Sequence, residues 1–197
     1  DNETNQLWLL VAMVGEGTRQ LGKLHKGDTL NCIFPLGNSF SMPVHKEEKI
    51  LLVGGGDGVA PLLYFGKCIY DFGAKPVFLL GARFSADLLE LDLFKKYGRV
   101  YVTTEDGSNG EKGFVTDHSL LGKETFDQIS VCGPKPMMVS VARYAVKAGI
   151  ECEVSLENNM ACGIGACLCC VENTTEGNLK VCQDGPVFNI KKLLWQI

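Results

Sequence analysis

Lys49-Ile-Leu-Leu-Val-Gly-Gly-Gly-Asp-Gly-Val-Ala-Pro61 is an apolar run that stops at a glycine cluster and restarts with helical spacing over residues 59–72. A short apolar run is a buried strand, and a glycine turn opening a helix completes a strand-turn-helix unit. The theme continues downstream. Residues 76–80, 99–103, 128–132 and 151–156 read as strands, residues 85–97 and 134–148 as helices, and residues 116–121 as a helical turn. Strands alternating with helices at this spacing predict an α/β fold with a doubly wound, mostly parallel sheet and right-handed crossovers. Upstream, residues 7–14 and 29–34 read as strands around a glycine-rich turn, with a short segment at residues 19–24.

Composition narrows the class. With 46% apolar and 21% charged residues over 197 positions, the chain is globular rather than disordered. A formal net charge of -4 with scattered Lys and Arg gives no basic stripe, so nucleic acid is not an expected partner. No apolar run approaches the roughly 20 residues of a membrane helix, and the N-terminus lacks a secretory pattern. A cytoplasmic location without membrane attachment is the expectation.

Nine cysteines cannot all pair within one chain. Cys32, Cys68, Cys132 and Cys152 lie in apolar stretches and read as buried free thiols, whereas five cysteines crowd between residues 162 and 182. The segment Cys162-Gly-Ile-Gly-Ala-Cys167-Leu-Cys-Cys170 is followed by eleven residues and then Cys182. C-x4-C-x2-C with a distant fourth cysteine is the spacing of plant-type [2Fe-2S] ligation, with Cys162, Cys167, Cys170 and Cys182 as ligands. Taking Cys169 for Cys170 would leave C-x-C, which breaks that pattern. Gly163 and Gly165 permit a tight loop whose N–H groups face the sulfurs. Structural zinc, which also uses four cysteines, is the rival.

Two turns point to a nucleotide. Gly54, Gly55, Gly56 and Gly58 open a helix whose N-terminus can receive a pyrophosphate. Cys132, Gly133 and Pro134, in Cys132-Gly-Pro-Lys-Pro-Met-Met138, repeat the theme after the last long parallel strand. Asp57 is expected to face outward, and Met137 and Met138 to belong to the helix core. The acidic pair in Thr104-Glu-Asp-Gly107 either disfavours a 2′-phosphate, selecting NAD over NADP, or forms a solvated loop. His25, His45 and His118 read as surface residues. Nothing suggests hydrolysis. A hydride carries two electrons and an iron-sulfur cluster takes one at a time, so these two sites together imply a flavin nearby.

These residues carry a resemblance. The segments 54–61, 132–138, 160–167 and 181–186 resemble the electron-transfer subunits of class B dihydroorotate dehydrogenases, members of the ferredoxin reductase superfamily, over essentially the whole chain. The resemblance implies a partial flavin-binding antiparallel β-barrel over residues 1–47, a ferredoxin-reductase-like NAD domain over 48–155 and a small [2Fe-2S] module over 156–197. It implies FAD contacts at Leu10, Val11, Ala12, Gly17 and Thr18. It also implies an FMN-containing dihydroorotate dehydrogenase catalytic subunit as partner, in a heterotetramer of two of each chain. Electrons would pass from that FMN through [2Fe-2S] and FAD to NAD, in pyrimidine biosynthesis. Family members begin with further barrel strands and an Arg-Pro-x-Ser type motif, so an N-terminal truncation, with apolar edges left open near residues 7–14, is expected. Alternative readings are a diaphorase-like subunit of a hydrogenase or of a ferredoxin-NAD(P) oxidoreductase, and a zinc-stabilised nucleotide-binding module without catalysis.

Overall fold

The computed structural model describes residues 5–197, which form two compact units divided after Phe34. The second unit is built on strand β1 (Ile50–Gly55), all six residues of which are buried. Such a strand can only be central in a sheet covered on both faces, which is why it reads as continuous apolar sequence. β2 (Val77–Ala82), β3 (Arg99–Thr104) and the two-residue β4 (Glu111–Lys112) lie to one side. β5 (Gln128–Cys132) and β6 (Glu151–Ser155) lie to the other. The order is β4-β3-β2-β1-β5-β6, all parallel, and reverses direction of growth between β1 and β5. Ligands gather at such a switch point, beyond the carboxyl ends of the strands.

Helix α2 (Val59–Phe72) covers one face, with α3 (Leu91–Tyr97) beside it, and α5 (Lys135–Ala148) the other. Leu62, Ile69, Phe78 and Phe94 pack on the α2 face, and Val141, Ala142, Ala145 and Ile129 on the α5 face. Each fully buried Leu, Ile or Phe contributes about 1.5–3 kcal/mol. Two core layers thus hold the sheet edges that frame the ligand site. A four-residue helix, α4 (Leu120–Lys123), precedes β5.

After β6 the chain forms a hairpin, β7 (Val171–Thr174) and β8 (Gly177–Lys180), in a separate two-stranded sheet. It then returns as β9 (Val187–Asn189), antiparallel to β6, making the main sheet seven-stranded.

Several expectations need correction. Residues 7–14 and 29–34 form no strand; among the described residues of the first unit only α1 (Glu16–Leu21) is regular. A strand needs a neighbour to bond its backbone, and the described residues supply none there. Leu7, Trp8, Leu9 and Val14 are exposed. The helix foreseen at 85–97 is interrupted: a 3-10 turn (Ser85–Asp87) stops at Leu88, and α3 begins only after Glu90, whose φ is +55°. His118 is buried rather than on the surface, and Cys32 is exposed rather than buried. No described helix is long and apolar enough to cross a membrane.

Candidate functional site

The four cysteines are positioned by the hairpin and by one glycine loop. Cys170 directly precedes β7 and Cys182 follows β8 by two residues, and Val171 pairs with Lys180. The eleven residues between these cysteines are therefore a hairpin that folds them face to face. Val181 N–H donates to the Cys170 carbonyl (3.1 Å), and Cys182 N–H donates to Cys170 Sγ (3.4 Å). Contact with the Cys170 thiol raises the pKa of Cys182, whereas the Cys182 N–H lowers that of Cys170.

The second pair is local. Cys167 N–H donates to Cys162 Sγ at 3.4 Å, and this bond, with the Ile164 N–H, pulls the Cys162 thiol down to about 6. Gly163 and Gly165 hold φ of +70° and +75°, as the loop was expected to require. A side chain at Gly165 would collide with Gln183, whose Nε2 donates to the Ile164 carbonyl (3.0 Å) and staples the loop to the residue after Cys182. The two pairs meet: the Gly165 N–H faces the Cys182 sulfur, which also feels the charge of Cys162. Cys169 is exposed, and its N–H donates to Cys167 Sγ at 3.4 Å.

Backbone donors aimed at sulfur stabilise thiolates, the form that binds metal. Among the described residues no three His, Cys, Asp or Glu side chains group as a site for one metal ion. Two thiol pairs rimmed with N–H groups are what a two-iron cluster needs from a protein, so the residues present fit [2Fe-2S].

The second site is a pocket of about 770 Å³ at the carboxyl ends of β1, β2, β3 and β5. Gly55, Gly56 and Pro134 line it, with Arg83, Glu105 and Phe114 at its β2 and β3 side. Gly58 does not line the pocket. A Cβ there would come 2.5 Å from the Cys132 carbonyl oxygen, so it is the contact at which the two nucleotide turns touch. Gly54 is likewise a packing position, against Leu62, Val59 and Leu80. Gly133 backs the wall against Gly55 and Met137. The Cys132 thiol is pushed up to about 11 by burial and stays protonated. Asp57, expected to face outward, is exposed yet stands at the pocket. Met138 is core as expected, but Met137 is a pocket wall. Phe114, exposed at the mouth, was missed; the only signal for it was its place after a strand in a glycine-bounded turn.

Leu10, Val11 and Ala12 lie outside any helix or strand, the Ala12 carbonyl accepting from the Val14 N–H (2.9 Å), while Gly17 and Thr18 sit in the first turn of α1. The first intrahelical bond is made by Arg19 N–H to the Gly15 carbonyl (3.0 Å), leaving the N–H groups of Glu16, Gly17 and Thr18 at the helix start.

Residues 157–194 match the family model of the iron-sulfur cluster binding domain of dihydroorotate dehydrogenase B, and residues 52–143 that of an oxidoreductase NAD-binding domain. The chain is similar to the dihydroorotate dehydrogenase B (NAD(+)) electron transfer subunit of Caldanaerobacter subterraneus subsp. tengcongensis, with 39% identity over 99% of this chain and 78% of the relative. The subunit of the same name from Listeria monocytogenes is 41% identical over 91% of this chain and 72% of its own length. Among solved structures, a chain from an NADH-dependent reduced ferredoxin-NADP oxidoreductase superposes with a TM-score of 0.83 at 34% identity, covering 94% of this chain and 67% of that one. The cytochrome b5 reductase domain of Ulva prolifera nitrate reductase shares the fold, with a TM-score of 0.58 at 22% identity over 70% of this chain and 61% of its own. With its cysteine pairs, its doubly wound sheet and relatives of this identity along nearly its whole length, the chain belongs to the family of dihydroorotate dehydrogenase B electron transfer subunits.

Proposed function

We propose that this chain relays electrons between a [2Fe-2S] cluster held by Cys162, Cys167, Cys170 and Cys182 and an NAD molecule in the pocket at the switch point, as an oxidoreductase subunit. The observation that carries this is the pairing of thiols, Cys162 with Cys167 and Cys170 with Cys182, in a ring of backbone N–H groups. Between a one-electron centre and a hydride carrier, FAD supplies the conversion. The chain's own residues bind and orient. The α2 N-terminus with Gly55 and Gly56 receives the pyrophosphate, Pro134 and Met137 wall the pocket, and Gln183 holds the cluster loop to its fourth cysteine. Gly17 and Thr18, with Leu10, Val11 and Ala12, supply the part of the flavin cradle that this chain contributes. Residues 1–47 serve the flavin, 48–155 the nicotinamide cofactor and 156–197 the cluster.

An electron transfer subunit needs a catalytic partner. We read that partner as an FMN-containing subunit that oxidises dihydroorotate, assembled as two of each chain. Residues 158–171 carry no charged side chain, and Met160, Ile164 and Leu168 are exposed on the loop that holds the cysteines. An apolar, uncharged rim suits docking close to a redox centre. Leu168 holds φ of +60°, a conformation that costs a non-glycine residue energy and turns its side chain outward with the loop.

The test is anaerobic purification with the catalytic subunit. About two irons per chain, visible absorption and NAD reduction driven by dihydroorotate support the reading; one zinc per chain with no colour overturns it. The similarity to the ferredoxin-NADP oxidoreductase chain favours a second reading with the same cofactors and a ferredoxin-linked partner. A partner that oxidises dihydroorotate supports only the first.

A further inference from the structure

At the β2 and β3 side of the pocket, two charges of opposite sign stand on adjacent strand ends. Glu105 N–H donates to the Ala82 carbonyl (3.1 Å) and Asp106 N–H to the Arg83 carbonyl (3.4 Å), which locks the residue after β3 beside the residue after β2. Arg83 and Glu105 both line the pocket, and no ion pair among the described residues takes up either charge. In doubly wound sheets the residue after β2 meets the adenosine ribose: an acid there favours a 2′-hydroxyl, an arginine a 2′-phosphate. Arg83 alone would therefore mark this pocket for the phosphorylated nucleotide.

We propose that Glu105 makes the pocket take NAD in preference to its 2′-phosphorylated counterpart, with Arg83 as the residue it offsets. The inference rests on the dinucleotide reading of the pocket and names what selects within it. A carboxylate on the strand end next to the one that carries the guanidinium can accept a hydrogen bond from a 2′-hydroxyl and offsets the positive charge that a dianionic phosphate would otherwise find. Its neighbour Asp106 has no part in this. The Asp106 carboxylate accepts from Ser108 N–H (3.0 Å) and Ser108 Oγ (2.7 Å), bonds that lower its pKa, and it does not line the pocket. Of the acidic pair in the turn, one residue lines the pocket and the other closes the turn.

Calorimetric titration of the full chain with ADP-ribose and with 2′-phospho-ADP-ribose tests this without nicotinamide, flavin or turnover. The unsubstituted protein is expected to bind ADP-ribose at least about tenfold more tightly than the 2′-phosphorylated probe. Glu105→Gln should raise affinity for the phosphorylated probe by about tenfold with little change for ADP-ribose, and adding Arg83→Ala should remove the gain. Asp106→Asn should leave the ratio unaltered. An unchanged ratio in Glu105→Gln overturns the inference while leaving the pocket reading intact. Failure of both probes to bind overturns the pocket reading and the inference together.

Discussion

Gly58 sits against Cys132 so closely that a methyl group on its Cα would approach the Cys132 carbonyl oxygen to 2.5 Å. Because backbone lies on both sides of this contact, neither residue can move aside cheaply. Gly58→Ala is expected to destabilise the chain by about 1–3 kcal/mol through forced displacement of the turn. NADH affinity should fall with it, since the turn after β1 and the turn after β5 shift apart. Thermal denaturation and NADH titration check the two effects separately.

Cys170 and Cys169 are neighbours with opposite fates: one is buried at the hairpin mouth and the other is exposed. Cys169→Ser should retain about two irons per chain and an unchanged visible spectrum, whereas Cys170→Ser should lose iron or yield an altered spectrum. Metal analysis with electron paramagnetic resonance of the reduced protein reads the difference.

His118 lies among Tyr101, Glu111 and Lys123 and is only 7% exposed. Its Nδ1 accepts from the Leu120 N–H (3.0 Å), so the neutral ring carries its proton on Nε2, 3.7 Å from Glu111. Burial lowers its pKa; Glu111 opposes that shift and Lys123 adds to it. The unfolded chain takes up this proton near pH 6.5 and the folded chain only at lower pH. Stability should therefore fall as pH drops below about 6.5 and level off once the folded state is also protonated. His118→Asn keeps an acceptor for the Leu120 N–H and should flatten the dependence of Tm on pH between about 5 and 7.

Ile164 and Leu168 project from the cysteine loop into solvent. Changing both to Asp should weaken association with the catalytic subunit by at least about tenfold, as expected when buried anchors are lost. The iron content and visible spectrum of the separate chain should not change. A gel-filtration or surface-binding measurement reports the first and absorption the second.

The parallel sheet was legible because β1, β2 and β5 are short apolar runs closed by glycine, and α2 and α5 show one apolar face each. The cysteine segment was legible because C-x4-C-x2-C with a distant fourth cysteine is a spacing that [2Fe-2S] ligation uses. What stayed hidden has local causes. β7, Val171-Glu-Asn-Thr174, is a polar edge strand with no alternation, so only pairing with β8 reveals it. The break before α3 depends on the positive φ of Glu90, which no propensity signals. His118 sits between Asp117 and Ser119, and polar neighbours concealed its burial. The strands expected at residues 7–14 and 29–34 show the converse, since an apolar run becomes a strand only where another backbone is there to bond it. At the pocket, the acidic pair was visible but its division of labour was not, because Asp106 is turned away by a serine two residues on.

β9 joins the cysteine-bearing segment to the nucleotide sheet through its ladder with β6, Ser155 opposite Val187 and Val154 opposite Phe188. A module tethered by a flexible linker could swing, and its electron-transfer rate would then vary with viscosity and domain motion. A continuous hydrogen-bonded ladder instead fixes the cysteine-bearing segment against the sheet whose strand ends frame the pocket. Hinge motion between these two segments is therefore not expected to limit turnover.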